Sequence, residues 1–295
     1  MLVDLRYHLI SLVGVFLALA VGIVVGSSFL AGSAVEGLKS EFGQLRDDNR
    51  KQQRLIYELT DRLNKHKEFE RAVAPMLVNG RLSWQRVAII QTGDYGEATQ
   101  SARSALEAAG ARVVSVTTFS NLAGSNARER AARAVELVTE ESGSPDPVGA
   151  VLGIAAENIV TGSNPEAIAI LEEKGLLSKA GEYNRRVQNI VVVGGSKRKS
   201  DKRPQRIDLV LLAKLQELGA NVVPCEPFEV GTSYVPVWLR KNVSSTVDNI
   251  DDAIGQINLV FAVSGETGNF GMKESADRIL PEYLEGGQWR SESRR

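Results

Sequence analysis

The chain has 295 residues, enough for one or two domains with a packed core. Lys and Arg number 35 and Asp and Glu number 36, so the formal net charge is −1 and no overall positive field favours nucleic acid. A single cysteine, Cys225, excludes an intrachain disulfide and a cysteine-based metal cluster within one chain. Because the positive and negative charges nearly balance, we expect no nucleic-acid partner.

An uncharged apolar segment lies near the N-terminus, with no Asp, Glu, Lys or Arg from Tyr7 to Val35. As a helix, Leu9 to Leu30 would reach about 33 Å, enough to cross a hydrocarbon core of about 30 Å. The small residues from Ala31 to Ala34 resemble a cleavage site, so a signal peptide is the competing interpretation. Because the apolar run is long for a signal peptide, we predict an uncleaved transmembrane anchor.

Small residues recur at every fourth position of this segment: Gly14, Ala18, Gly22 and Gly26. This spacing places them on one stripe of a helix, where the backbone of a second helix can approach closely. The stripe predicts pairing of two membrane helices. Gly and Ala are also common in membrane helices of any kind, so both interpretations stay open.

A heptad pattern follows the apolar segment and predicts a helix from about Val35 to about Ala74. With Val35 at position a, seven of the ten a and d positions through His66 are apolar. So narrow an apolar row needs a covering partner, and a second copy of the chain in a coiled-coil homodimer is the expected one. The predicted interface residues are Leu38, Phe42, Leu45, Asn49, Gln52, Ile56, Leu59 and Leu63.

Two polar residues interrupt the row, Asn49 at an a position and Gln52 at a d position. Buried polar residues lower the stability of a coiled coil but fix its register, and Asn at position a favours two parallel strands. The same row is equally suited to the helix of another protein, or to the distal domain, and the sequence does not separate these uses.

From Arg86 onward, short β-branched runs alternate with amphipathic helices. The predicted strands are Arg86 to Gln91, Arg112 to Thr117, Val148 to Ile154, Asn189 to Val193, Asn221 to Pro224 and Gln256 to Val263. The predicted helices are Glu97 to Ala109, Ala127 to Glu141, Pro165 to Lys174 and Arg206 to Leu218. This alternation predicts an α/β domain with a doubly wound, mostly parallel sheet covered on both faces.

A glycine and basic segment follows the predicted strand that ends at Val193. Gly194 and Gly195 are followed by six basic residues, of which Lys197, Arg198 and Lys199 come first and Lys202, Arg203 and Arg206 follow. Glycine amides beside basic side chains predict an anion-binding loop, which could serve a nucleotide- or sugar-binding enzyme. A charge run without a G-x-G-x-x-G motif is more typical of a solvent-exposed loop.

Few residues of the α/β domain are suited to catalysis, because neither His8 nor His66 lies in it. The acids near predicted strand or loop ends are Asp94, Glu157, Glu226 and Asp248, and their spacing does not distinguish them from surface acids. Cys225 fits a buried core residue better than a reactive thiol. We predict a non-enzymatic domain without a metal site or cofactor.

Sequence runs at both ends of the chain resemble the actinobacterial MctB family, named for mycobacterial copper transport. The N-terminal runs are Leu5 to His8, Ser11 to Leu12 and Val15 to Gly22. The C-terminal runs are Ser245 to Asn249, Gly255 to Gln256, Asn269 to Lys273 and Leu280 to Pro281. The resemblance implies a cell-envelope protein with its soluble part outside the cytoplasmic membrane and a role in copper homeostasis. Relatives of this family also look like partners of septal proteins that control peptidoglycan hydrolysis.

The charges around the anchor indicate the opposite orientation. Arg6 alone precedes the apolar segment, whereas basic residues from Lys39 to Lys51 follow it, and the positive-inside rule places the more basic side in the cytoplasm. We give the resemblance more weight and expect a single-pass protein of the cytoplasmic membrane with an extracytoplasmic soluble domain.

The predicted organisation has four parts: tail and anchor (1–34), coiled-coil helix (35–76), α/β domain (77–285) and polar C-terminal tail (286–295). The leading functional interpretation is a dimeric scaffold that binds an envelope or septal protein during cell separation. Copper homeostasis is the alternative that the family name implies. Copper prefers thiolate, thioether and imidazole ligands, and the α/β domain offers only Cys225 and Met272. We therefore expect that the segment from Glu36 to Arg295 does not bind copper stoichiometrically, while a physiological role in copper homeostasis stays open.

Overall fold

The computed structural model describes residues 5–119, 122, 124, 126–141 and 143–285. The predicted polar tail, 286–295, and residues 1–4 of the predicted anchor lie outside the described residues. The chain divides into two compact units that meet between His66 and Lys67. Both predicted boundaries of the coiled-coil segment, after residues 34 and 76, fall inside one helix, α1, which runs Leu5–Val78.

The described part of the N-terminal unit consists of α1 up to His66. Of the described residues, one stretch, Arg6–Ser27, is long and apolar enough to cross a membrane, and none of its most apolar window is buried. It overlaps the predicted anchor.

The second unit is a three-layer α/β domain. Its further helices are α2 (Gly96–Ala108), α3 (Ala127–Thr139), α4 (Pro147–Thr161), α5 (Pro165–Glu173), α6 (Leu209–Glu217), α7 (Val235–Trp238), α8 (Ala253–Val263) and α9 (Glu282–Glu285). Its strands are β1 (Arg86–Gln91), β2 (Arg112–Phe119), β3 (Leu177–Gly181), β4 (Asn189–Val193), β5 (Asn221–Cys225), β6 (Ser245–Val247) and β7 (Gly268–Phe270).

The described strands form one seven-stranded sheet in the order β3-β2-β1-β4-β5-β6-β7. Every neighbouring pair is parallel except β2 and β3, which are antiparallel at one edge. The fold class predicted from the sequence, a mostly parallel α/β sheet, is confirmed.

Both faces of the sheet are covered, as the apolar strands predict. On β4, Ile190 and Val192 belong to a core cluster with α3 to α6, whereas Val191 and Val193 belong to a second cluster on the other face. That second cluster contains α2, α8 and the last turns of α1. The period-two alternation of a strand thus assigns successive side chains to two separate cores.

Two strand predictions are wrong, because Val148 to Ile154 lies in helix α4 and Gln256 to Val263 lies in helix α8. Helix α8 is buried on nearly all sides, so its sequence is apolar without a helical period and cannot be told from a buried strand. Side-chain caps define where these helices begin. Asp146 accepts a hydrogen bond from the Gly149 N–H at 3.1 Å, and Asp252 accepts one from the Gly255 N–H at 3.0 Å.

Candidate functional site

The carboxyl ends of β1, β4, β5 and β6 lie side by side, because these strands are parallel neighbours in the sheet. In doubly wound folds this edge is where ligands usually bind. The segments that follow these strands carry Asp94, Ser196, Glu226 and Asp248. Hydrogen bonds connect them into a network with Asp201, Arg203 and Lys273, which we call the carboxyl-edge cluster.

The glycines of the predicted anion-binding loop permit close backbone packing. A Cβ atom on Gly93 would lie 2.4 Å from the Gly194 backbone, and one on Gly194 would lie 2.3 Å from the Trp238 ring. Gly195 has a φ of +88°, which side-chain-bearing residues rarely adopt. These glycines therefore hold the β1 and β4 loops against each other and against Trp238.

The amides of this loop have partners within the protein. The Ser196 N–H donates to the Thr232 carbonyl at 3.1 Å, and the Lys197 N–H donates to the Asp94 carboxylate at 3.0 Å. The Ser196 hydroxyl donates to the same carboxylate at 2.9 Å. The loop therefore does hold an anion, which is the protein's own Asp94. Binding of an external nucleotide, sugar or phosphate stays a prediction.

Arg203 joins two carboxylates in this cluster. Its guanidinium donates to Asp94 at 2.7 Å and to Asp201 at 2.6 Å. The hydrogen bond from Arg203 holds the pKa of Asp94 below its ordinary value. Burial opposes ionisation of Asp201, but the hydrogen bonds from Arg203 outweigh it and lower the pKa of Asp201 as well. Both acids are therefore ionised at neutral pH.

The basic side chains that come directly after this loop lie at the surface of the domain. Lys197, Arg198 and Lys199 are exposed, and the Lys197 Nζ lies 5.6 Å from the centroid of the Tyr95 ring. The basic side chain that binds the carboxylates is Arg203, which the sequence analysis named among the six basic residues of this segment but not among the selected site residues. Its partner Asp94 lies 109 positions earlier in the chain.

Asp208 is a fully buried acid behind the cluster, in a π-helical turn (Pro204–Asp208) that precedes α6. Its Oδ1 accepts hydrogen bonds from the Thr92 hydroxyl at 2.8 Å and the Trp238 Nε1 at 2.9 Å. Its Oδ2 has no hydrogen-bond partner within the described structure. Burial raises the pKa of Asp208 to about 7. The sequence signal for it was slight, an acid between the apolar residues Ile207 and Leu209.

The C-terminal run Asn269 to Lys273, which carries part of the family resemblance, is fixed by two buried acids. Asp248 accepts hydrogen bonds from the Met272 N–H at 2.9 Å and the Lys273 N–H at 3.1 Å. The Lys273 ammonium pairs with Glu226, which also accepts from the Tyr234 N–H at 2.7 Å. These contacts give the run a structural role at the carboxyl edge.

Two of the other resembling C-terminal runs, Ser245 to Asn249 and Gly255 to Gln256, contact each other. Ser245 to Val247 form β6, and the Asn249 side chain donates to the Asp252 carboxylate at 3.0 Å. A Cβ atom on Gly255 would lie 1.9 Å from the Asn249 carbonyl oxygen, so only glycine fits there. Of the four acids considered from sequence, Glu157 alone lies elsewhere, exposed on α4.

The side chains that could bind a soft metal ion differ in their exposure to solvent. Cys225 is buried at the end of β5, and burial raises the pKa of its thiol, which keeps it protonated. Met272 is partly exposed, and His8 and His66 are exposed on α1. In the part of the chain that the structure describes, no group of three or more His, Cys, Asp or Glu side chains is arranged to hold a metal ion.

We call the predicted coiled-coil segment, residues 35–76, the stalk, and its apolar row from Leu38 to Leu63 is exposed to solvent along α1. Leu38, Phe42 and Leu45 are at least 58% exposed, and Ile56, Leu59 and Leu63 are at least 54% exposed. Asn49 and Gln52 are exposed between these two groups. The predicted membrane-helix stripe is equally open, with nothing within 4 Å of a Cβ atom built on Gly14, Gly22 or Gly26. Ala18 is exposed on the same helix. Pairing at either row stays a prediction.

A helix long and apolar enough to cross a membrane and a mostly parallel α/β domain together fit the class of membrane-anchored α/β proteins. The family model described as "Copper transport outer membrane protein, MctB" matches residues 2–281, so the chain belongs to the MctB family. Relatives named "Copper transporter MctB" occur in Mycobacterium bovis and Mycobacterium tuberculosis. Each is 26% identical over 314 aligned residues, covering 93% of this chain and 98% of the relative. The resemblance drawn from the terminal runs is confirmed.

Proposed function

We propose that this protein takes part in copper transport at the cell envelope, as a membrane-anchored and non-enzymatic member of its family. The observation that supports this role most directly is the match over residues 2–281 to a family described by copper transport. The names of the mycobacterial relatives support the same role.

The stalk is the part of the chain through which we propose that the protein acts. Its exposed apolar row, from Leu38 to Leu63, needs a covering helix, from a second copy of the chain or from an envelope protein. The buried thiol of Cys225 makes no thiolate available to copper in this conformation. We therefore propose that copper handling depends on an assembly that the stalk organises.

A scaffold in cell separation is the second candidate function. The exposed stalk row favours it, because a septal protein that controls peptidoglycan hydrolysis could bind there as a helix. The names of the relatives favour the copper role over this one. The two functions differ in the phenotype that follows loss of the chain.

Cells that lack the chain should differ from the parent strain in copper content when copper is supplied in excess, because a step of copper transport is missing. A rise in cell-associated copper indicates export, and a fall indicates import. The measurement is cell-associated copper by elemental mass spectrometry, together with growth in copper. Complementation with the full chain should restore the parent value, and the Leu59→Asp variant should fail to do so.

The Asn64→Asp variant is the matched control, since it adds the same charge five residues further along α1, at a position outside the predicted a and d row. Unchanged copper content, with cells that remain joined after division, would contradict the copper role and support the septal scaffold.

The α/β domain is expected outside the cytoplasm. Protease added to intact spheroplasts should then digest the domain, while the anchor, which contains Arg6–Ser27, stays with the membrane. Immunoblotting with antibodies against the domain reads out the digestion, and a cytoplasmic enzyme must survive as the control for intact membranes. A protected domain would reverse the topology, and a mature N-terminus near Ser33 would show a cleaved signal peptide instead of an anchor.

A further inference from the structure

Trp84 is exposed in an unusual way at the amino edge of the sheet, the edge opposite the carboxyl-edge cluster. It is 98% exposed, and its φ of +67° is a left-handed conformation that bulky residues seldom adopt. The backbone on both sides is fixed. The Gln85 N–H donates to the Leu82 carbonyl at 3.0 Å, and the Gln85 carbonyl accepts from the Arg112 N–H at 2.8 Å. Strain that the surroundings maintain in this way often marks a binding site.

A groove of about 640 Å³ adjoins this indole, a volume within the usual range for small-molecule sites. We call it the amino-edge groove. It lies where β1, β4 and β5 begin and α8 ends. The residues that matter in its lining are Trp84, Gln85, Arg86, Arg186, Asn189 and Asn221.

A row of side-chain amides crosses the groove over the starts of three strands. The Asn189 Nδ2 donates to the Gln85 Oε1 at 2.9 Å, and the Asn221 Nδ2 donates to the Asn189 Oδ1 at 3.0 Å. Asn221 also donates to the Val263 carbonyl at 3.2 Å. The amides fix one another's orientation and leave donor and acceptor capacity toward the groove, which suits a ligand rich in hydroxyl groups.

Two guanidinium groups supply positive charge to the groove. Arg86 and Arg186 are both exposed, and neither forms an ion pair with another described residue. A guanidinium binds a carboxylate through two parallel hydrogen bonds. The carbonyl end of α8, at Val263 to Gly265, lies in the same groove, and its partial negative charge disfavours a doubly charged phosphate more strongly than a singly charged carboxylate.

We propose that the amino-edge groove binds an oligosaccharide that carries carboxylate groups. The apolar face of a sugar ring packs on the Trp84 indole, which provides a large apolar surface with a polar edge. Hydroxyl groups bond to the amide row, and a carboxylate pairs with Arg86 or Arg186. Among the described residues that line the groove, Trp84 is the one with an aromatic side chain.

The test uses the full chain in lipid nanodiscs and isothermal titration with two probes of equal length. The acidic probe is a hexasaccharide of alternating glucuronate and N-acetylglucosamine, and the neutral probe is a hexasaccharide of N-acetylglucosamine alone. We expect the acidic probe to bind more tightly, and Trp84→Ala to weaken its binding about tenfold. Arg186→Gln should reduce the preference for the acidic probe.

Two further variants distinguish the loss of a ligand contact from the loss of folded structure. Trp84→Gly relieves the left-handed strain, so its thermal midpoint should equal or exceed that of the parent while binding is lost. Phe228→Ala truncates an exposed aromatic side chain after β5, at the opposite edge, and should leave binding unchanged.

Three results would overturn the proposal: a parent that binds neither probe or both equally, unchanged binding in Trp84→Ala and Trp84→Gly, or an equal loss in Phe228→Ala. A fall in particle mass on replacing Trp84 would assign the indole to self-association instead.

Discussion

The Leu59→Asp variant is expected to lose the self-association of the stalk. In a parallel pair two Leu59 side chains meet, and burying each stabilises the dimer by about 1.5–3 kcal/mol. Replacement by aspartate removes that burial and places two like charges in the interface. The dissociation constant of the full chain in detergent should therefore rise more than about a hundredfold, measured by sedimentation velocity.

The Asn64→Asp control should leave association unchanged, since residue 64 lies one position after the a position of Leu63 and faces solvent in the predicted pair. Asn49→Leu should strengthen association but relax its specificity, so that larger oligomers form beside the dimer. A parent chain that stays monomeric at high concentration would contradict the homodimer and leave the row to a helix of another protein.

The sequence predicted those elements of the fold that have a clear period or clear end signals. Strands β1 and β4 were predicted with their observed bounds, because β-branched runs stand between polar residues there. Helix α5 was predicted within one residue, since the dipeptide Asn164-Pro165 marks its start. Such signals are local and require no knowledge of the partner elements.

The secondary-structure prediction fails in segments that are buried on most sides, because their apolar residues show no helical or strand periodicity. Helices α4 and α8 pack with apolar residues on most sides, and eight or more residues of each are buried. Strand β3 was missed because its sequence, Leu177 to Gly181, has one buried residue and a glycine end. It pairs antiparallel with β2 through contacts distant in sequence. These outcomes depend on tertiary packing, which a single sequence does not display.

The candidate site was predictable in position but not in chemistry. The Gly194 loop follows a strand and so was expected at the carboxyl edge. That its amides bind Asp94 depends on a contact between β1 and β4 loops about a hundred positions apart in the chain. Trp84 could not be recognised as a site residue from the sequence, where it is a single tryptophan between polar residues. Its exposure and its left-handed backbone are properties of the folded chain.

The stability of the α/β domain is expected to fall as the pH rises from about 4 to about 7, because of Asp208. Its pKa is 3.8 as an ordinary aspartate and about 7 when folded, so the folded state binds the proton more tightly. This stabilisation is complete below pH 3.8 and is lost as the pH rises through the folded pKa. The shift corresponds to a loss on the order of 4 kcal/mol. Urea unfolding followed by near-ultraviolet circular dichroism, which reports on the buried Trp238, measures it.

The Asp208→Asn variant should remove most of this fall. An asparagine carbonyl at the Oδ1 position still accepts from Thr92 and Trp238, and no charge develops in the core as the pH rises. Part of the fall should persist, because burial also raises the pKa of Asp252. Glu157→Gln neutralises an exposed acid on α4 and should leave the fall as in the parent. If the parent were equally stable at pH 4.5 and pH 7.5, or if the asparagine variant kept the full decline, then Asp208 would not titrate near neutrality. The unpartnered Oδ2 would in that case have to be stabilised as a carboxylate by a group that approaches it only in solution.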